Sequence, residues 1–292
     1  MDIVKDTIEE LENLNVNGTL SNIIITRMQY SPWTMSYVKY DDGVVGCGLA
    51  NNELKIPEDV TFIRELLNLN VYEAMSRLEC FENNVFINSL RASITSALSY
   101  RLMNDENTLK KDGYTVETYN YNARNFPLFK PSKFVRSSDI VAMVGFHQIA
   151  TPLCAEIAKE VHVTELMDLK ELSVIDFDTK ESNIKIFPAE KDKEVLSRAD
   201  VVYITGETIV NGTIREILEL SKNARTRIVY GPTSSFYPGV LFKEGVDISL
   251  PFIFPNTPDF RRYFVLSRGW WYFIEGIKQL LIKSSKVKQK RR

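Results

Sequence analysis

The sequence predicts an α/β protein in which a Rossmann-like parallel-sheet domain follows a smaller α+β domain. Three observations carry this. First, "DIVAMVG", "LSVIDFD", "ADVVYITG" and "TRIVYG" are short, nearly continuous apolar runs, each ended by Gly or Asp and largely separated by helical patterns. Strands apolar on both sides belong to a parallel sheet covered on both faces, and right-handed crossovers then give a doubly wound domain. Second, the amino-terminal third has a different grammar. Third, 292 residues is more than one domain commonly holds.

In chain order, residues 1–15 read as an amphipathic helix with Ile3, Ile8, Leu11 and Leu14 on one side. "TMSYVKYDDGVVGCGLA" is a hairpin signal around Asp41-Asp42-Gly43. Helical segments follow in "PEDVTFIRELL" through "NVYEAMSRL" and in "NNVFINSLRASITSALSYRLM", where Phe86, Leu90, Ile94, Ala97 and Leu98 recur at three and four residues. These set an α+β domain over 1–105. Residues 106–138, polar and aromatic with Pro127 and Pro131, read as a connector holding one strand. The parallel-sheet domain spans 139–268, with "VDISLPFIF" as an added strand. Residues 269–292 read as an amphipathic helix with a basic end, and Trp270 and Trp271 dock it on the body or fill a dimer contact.

Composition is that of a globular protein, 44% apolar and 25% charged. A net charge of −2 gives no field for nucleic acid. No apolar run has membrane-spanning length, and the first thirty residues lack a secretory pattern, so the expectation is a cytoplasmic protein. Three widely spaced cysteines encode neither a disulfide framework nor a zinc ribbon. With only two histidines, a metal cage built from His and Cys alone is not expected.

In an open α/β sheet the ligand lies beyond the carboxyl ends of the strands. Three strand-end loops carry polar chemistry: Gly145-Phe146-His147-Gln148 followed by Thr151-Pro152; "ITGETIVNGT", 204–213; and "GPTSS", 231–235. Asp176 and Asp178 end the run read as the second strand. Gly206 and Gly212 allow close backbone approach, and Thr213 with Glu216 has the spacing of a capping box. Glu207, Thr208 and Asn211 remain as candidate ligand contacts. His147 is a candidate ligand or acid–base group, balanced against an imidazole bonded within its own loop. His162 reads as a surface or helix-end residue, and Cys47 and Cys154 as core. "GFHQIA" lacks the glycines of a dinucleotide fingerprint, and Asp176 stands too far beyond Gly145 for the usual ribose acid.

At "GFH", "ADVVYITGETIVNGTIREILEL" and "GPTSSFYPGVLFKEGVD" the chain resembles a family of prokaryotic proteins described as putative heavy-metal chelatases, over residues 20–255. The resemblance implies an enolase N-terminal-like domain ahead of the Rossmann-like one, an interdomain cleft, and a heavy-metal ion or metal complex as ligand, around a pterin- or tetrapyrrole-like molecule. Thr205, Gly206, Thr208, Asn211, Gly231, Pro232 and Thr233 fall on the family's motif. Departures are Gly145-Phe146-His147-Gln148 where the family runs Gly-His-Phe-Pro, Ser96 for an Asn, Asp176 for a Glu, and Leu250 for a Gly.

The expectation is therefore a small-molecule or metal-binding protein whose ligand-contacting residues include Gly145, His147, Asp176, Glu207 and Ser234 besides the motif positions. His147, Asp176 and Glu207 are its metal candidates. No nucleic acid is expected as a partner, and homo-oligomers are compatible with the sequence. The alternative is a metal-independent enzyme or binder acting on a small anionic or nucleotide-like ligand; a non-catalytic scaffold is the third reading.

Overall fold

Strands apolar on both sides need cover on both faces, and the computed structural model shows how this chain supplies it. It describes residues 2–26, 32–52, 57, 59–120, 126–166, 183–266 and 274–284. The amino-terminal part comprises α1 (Ile3–Asn13), β1 (Thr19–Thr26), β2 (Trp33–Lys39), β3 (Val45–Asn51), α2 (Ile63–Leu66), α3 (Val71–Leu78), α4 (Val85–Asn104) and α5 (Glu106–Lys111). Next come β4 (Tyr114–Asn120), β5 (Ile140–Val144), α6 (Ala150–Ala155), β6 (Glu160–Glu165), β7 (Ile184–Pro188), α7 (Asp192–Leu196), β8 (Val201–Thr205), α8 (Glu207–Val210) and α9 (Ile214–Leu220). β9 (Thr226–Tyr230), α10 (Gly239–Lys243), β10 (Ile248–Leu250), β11 (Phe252–Ile253), α11 (Pro258–Leu266) and β12 (Lys278–Ser284) complete the described elements.

β1, β2 and β3 form an antiparallel sheet, and β2 and β3 pair as the Asp41-Asp42-Gly43 turn predicts. In the larger sheet the parallel strands run β7-β6-β5-β8-β9-β10. Numbered from β5, this is the doubly wound order 3-2-1-4-5-6, so the strand order reverses between β5 and β8. The fold class is thus the α/β one expected, a parallel-strand sheet beside a smaller antiparallel-sheet domain.

Alternation along the central strands makes two cores. Ala142, Val144, Val202, Ile204 and Val229 face α7, α9 and α10 and the helices of the amino-terminal part. Val141, Met143, Val161, Val163, Tyr203 and Ile228 face the other way, toward Cys154, Phe126, Phe134, Phe260 and Phe264.

α4 is buried nearly all round, as befits a helix apolar and small-residued on every side. Asn84 caps it by accepting from Ile87 N. It meets β3 at two glycines: a Cβ on Gly46 would lie 2.2 Å from Ala97 O, and one on Gly48 would lie 2.1 Å from Ser93 O. Ser36 Oγ and Ser93 Oγ share a hydrogen bond of 2.7 Å in this contact.

Three readings are corrected here. The segment 278–284, expected in a terminal helix, is β12, antiparallel to β4 on one side and to β10 and β11 on the other. Leu280 and Ile282 join one core while Ile277 and Leu281 join the other, and only an extended segment buries successive residues on opposite faces. Trp270 and Trp271 lie outside the described residues. The second strand of the parallel sheet is β6, and the "LSVIDFD" segment with Asp176 and Asp178 also lies outside them. His162 sits mid-strand in β6, its Nε2 2.8 Å from Glu160 Oε2, rather than at a helix end. The expected strand of the connector is β4, which enters the large sheet through β12. Among the described residues, no helix is long and apolar enough to cross a membrane.

Candidate ligand cleft at the strand-order reversal

The three strand-end glycines converge because β5, β8 and β9 are adjacent and parallel. Gly145 N donates to Thr164 O at 2.9 Å and Gly206 N to Tyr230 O at 2.8 Å, so each strand hands its last rung to its neighbour's loop. Gly145 has φ +82°, and a Cβ there would lie 2.9 Å from Thr205 Cγ2. Gly206 has ordinary helical φ. It is glycine because a Cβ would lie 2.8 Å from Ser234 N.

Beyond β5, β6 and β8, on the α7 and α9 side, opens a cleft of about 410 Å³ including its open mouth. Gly145, Thr164, Glu165, Asp192, Thr205, Glu207, Thr208 and Asn211 line it, with Val144, Leu166, Ala189, Thr213 and Ile217. The whole lining comes from 144–217, so this cleft is not the interdomain one the resemblance implied. The amino-terminal part docks on the loop 231–235 and on the 207–215 segment, where Asn88 Nδ2 donates to Val210 O at 2.9 Å and Arg215 pairs with Asp6 at 2.7 Å. Asn51 N donates to Thr233 Oγ1 at 3.0 Å, and Ser96 Oγ donates to Ser235 O at 2.9 Å. Ser234 Oγ turns back to Gly231 O at 3.0 Å. Gly231, Pro232, Thr233 and Ser234 are all buried there. These four expected ligand residues form the seat of the amino-terminal part, because α4 and β3 cover the turn they make.

Within the cleft some expected contacts are committed locally. Thr208 Oγ1 donates to Thr205 O at 2.7 Å. Asn211 Oδ1 accepts from Thr213 N at 3.1 Å and from Thr213 Oγ1 at 2.7 Å. That turn replaces the expected capping box: Thr213 makes no side-chain cap bond, and its helix starts from the Asn211 turn.

His147 is absent from the lining. Its Nδ1 accepts from Ile149 N at 3.2 Å and Ala150 N at 3.1 Å, while Thr151 Oγ1 accepts from His147 N at 3.2 Å. Its ring packs edge-on against Tyr230 and near Phe129. Burial pushes its pKa down to about 4, holding the imidazole neutral. The ring caps α6, the bonded-within-its-loop alternative. Cys154 is fully buried, and burial pushes its thiol up to about 12, far from an activated thiolate.

Sequence reasoning did not anticipate Thr164, Glu165 or Asp192. The signal was the alternation in "EVHVTE", a β6 pattern ending in a carboxylate. Glu165 is held in place: Phe146 N donates to its Oε2 at 2.8 Å and Leu166 N to its Oε1 at 2.9 Å. Glu207 has its pKa raised to about 7, first by desolvation within the cleft and then by the Glu165 carboxylate. The residue is nonetheless exposed by area, so water at the open mouth screens part of this effect. Asp192 is also raised, by burial and by Glu216 and Glu190, against a lowering from the Thr164 hydroxyl. That hydroxyl lies near Asp192 but outside hydrogen-bond geometry: Thr164 Oγ1 and Asp192 Oδ1 are both buried atoms with no hydrogen-bond partner.

A carboxyl whose pKa is higher in the folded than in the unfolded chain stabilises the fold below the unfolded value, and that stability is lost as pH rises through the folded one. For Glu207 the window runs from about 4.5 to about 7. Wild type is therefore expected to lose melting temperature relative to Glu207→Gln across this window and to run parallel to it above. Paired thermal melts from pH 4 to 8 measure this; curves parallel throughout would show that the cleft does not raise the Glu207 pKa.

Among the described residues the lining contains three carboxylates and no Lys, Arg or His. Among the described residues, no three His, Cys, Asp or Glu come together closely enough to hold a metal ion. The donors present are all oxygen, whereas soft heavy metals favour thiolate and imidazole. The described residues therefore do not fit a heavy-metal ion.

Fold and cleft together define a two-part α/β protein with an acidic cleft at the reversal of its strand order. Residues 130–250 match the DUF364 family, described as "Putative heavy-metal chelation", the family the strand-end motifs resemble. A DUF364 protein of unknown function from Desulfitobacterium hafniense DCB-2 shares 19% identity at a TM-score of 0.66, covering 90% of this chain and 92% of that one. One from Pyrococcus horikoshii, also of unknown function, shares 17% identity at a TM-score of 0.68, covering 97% of this chain and all of that one. These likenesses establish the fold. No curated protein matches the chain.

Proposed function

We propose that this protein binds a small polar ligand, neutral or positively charged, in the cleft beyond β5, β6 and β8. The observation that carries the reading is Glu165, its carboxylate fixed by two backbone donors, facing a second carboxyl at Glu207 whose ionisation it opposes. A ligand that brings positive charge or hydroxyl donors relieves this opposition; an anion adds to it. The family's description suggests heavy-metal chelation, and an oxygen-only lining whose carboxylates do not cluster supports an organic cation or hydroxylated ligand over a soft metal.

Thermal melts at fixed ionic strength and pH 7.5 test the reading. Magnesium, manganese, zinc, nickel, small organic amines and polyols are compared with phosphate, sulfate and carboxylates. At least one cation or polyol is expected to raise the melting temperature, with the rise lost in the double substitution Glu165→Gln/Glu207→Gln. Stabilisation by the anions alone would overturn it.

A further inference from the structure

We propose that one wall of this cleft is a subsite for a primary ammonium group, which donates to Thr164 Oγ1 and Asp192 Oδ1 together. It rests on the acidic-cleft reading and narrows the ligand to a small organic amine.

Thr164 is 2% exposed and lines the cleft, yet its hydroxyl makes no hydrogen bond. The sheet fixes its place: it pairs with Val144 of β5 and Phe187 of β7, and its carbonyl accepts from Gly145 N. Only the hydroxyl is left over. Asp192, the first residue of α7, belongs to the same lining, and its Oδ1 is also a buried atom without a partner. The two side chains lie near one another. Leaving a buried hydroxyl unbonded is destabilising, and valine would fill the same volume without that penalty. Two such atoms, brought to one wall by a strand and a helix, suit a donor that reaches both from the cleft.

Charge selects an ammonium over a hydroxyl. A ligand hydroxyl could serve both atoms in turn, but it brings no positive charge to the carboxylate. Burial raises the Asp192 pKa above its usual value, and Glu216 and Glu190 add to the rise against a lowering from the Thr164 hydroxyl. Glu207 in the same lining is raised by burial and then by Glu165. A cation in this wall favours ionisation of both carboxyls, whereas an anion opposes it.

A metal ion is the other source of positive charge, and the donor set does not suit one. Hard cations such as magnesium and calcium take about six or more oxygen ligands. Among the described residues, no three His, Cys, Asp or Glu gather closely enough to hold an ion. An ammonium needs only a few acceptors. Val144 and Ile217, buried in the same lining, suit the carbon next to the nitrogen.

Isothermal titration and thermal melts of the full chain at pH 7.5 and fixed ionic strength test the proposal with ethanolamine, propylamine and 1,4-diaminobutane. Choline keeps the positive charge without an N–H donor, and ethylene glycol keeps a donor without the charge. At least one amine is expected to bind at about millimolar or tighter, with choline and ethylene glycol about tenfold or more weaker. Thr164→Val should lose about tenfold in affinity for that amine while the free variant melts at or above the wild-type temperature. Asp192→Asn should lose at least as much affinity.

No amine binding at about ten millimolar, control compounds binding as tightly as the amines, or unchanged amine affinity in Thr164→Val would each overturn the subsite. A lower melting temperature for free Thr164→Val would show the hydroxyl to be bonded within the protein, and would overturn it too. If choline or polyols act through Glu165 and Glu207 while amines bind no better, the subsite falls and the acidic-cleft reading stands. If no cation or hydroxylated compound binds, both fall.

Discussion

A chain ending after Ile274 should fail to show a cooperative melting transition and should collect in the insoluble fraction. The deletion removes all of β12, which separates β4 from β10 and β11. Ile277, Leu280, Leu281 and Ile282 are each no more than 2% exposed. At about 1.5–3 kcal/mol for each buried aliphatic side chain, their loss comes to roughly 6–12 kcal/mol, comparable with the whole stability of a typical domain at about 5–15 kcal/mol. The unpaired edges of β4 and β10 would also be open to pairing between chains. A terminal helix docked on the surface would give a different result, a soluble protein with its melting temperature modestly lowered. Expression of the shortened chain, sedimentation and a thermal melt decide between the two.

Replacing Gly48 with alanine is expected to destabilise the protein by about 3 kcal/mol or more, at the upper end of overpacking costs, lowering the melting temperature by roughly 6–12 °C. The added Cβ would lie 2.1 Å from Ser93 O and 2.4 Å from Ala97 N, both backbone atoms of α4 that no rotamer change can move aside. Gly212→Ala is the matched comparison. Gly212 has φ +79° but open space where a Cβ would go, so the cost is only backbone strain of about 1–2 kcal/mol. Thermal melts of the two variants should differ clearly; equal losses would mean that α4 can slide off β3 without penalty. Because α4 also holds Ser235 O through Ser96 and Tyr237 N through Ser99, Gly48→Ala should loosen this segment as well, detectable as faster amide exchange at Tyr237.

The legibility of the cleft was uneven for identifiable reasons. Gly145, Thr205, Glu207, Thr208 and Asn211 could be assigned to a strand-end site because glycines and polar groups interrupting apolar strands are a local signal, readable within ten residues. Glu165 could not. Its strand alternates with polar His162 and Thr164, which lack the continuous apolar pattern of β5 and β8, and its importance comes from adjacency to β5 rather than from its own segment. The "GPTSS" loop misled in the opposite direction. Its composition is that of a ligand loop, but a helix more than a hundred residues away in sequence covers it.

By itself, then, the sequence determined the α/β class, the hairpin of the amino-terminal part, the strands β5, β8 and β9, and the edge at which their loops would gather, because burial period and turn chemistry are short-range properties of a chain. Tertiary structure alone decided that the last described segment is a strand, that His147 closes a helix instead of opening toward a ligand, and that Glu165 meets Glu207. Each of these depends on which distant segment lies alongside. Pairing of β12 with β4 overrides a helical pattern; proximity of two backbone amides claims an imidazole; and Glu207 feels the charge of Glu165 only because the sheet brings their strand ends together.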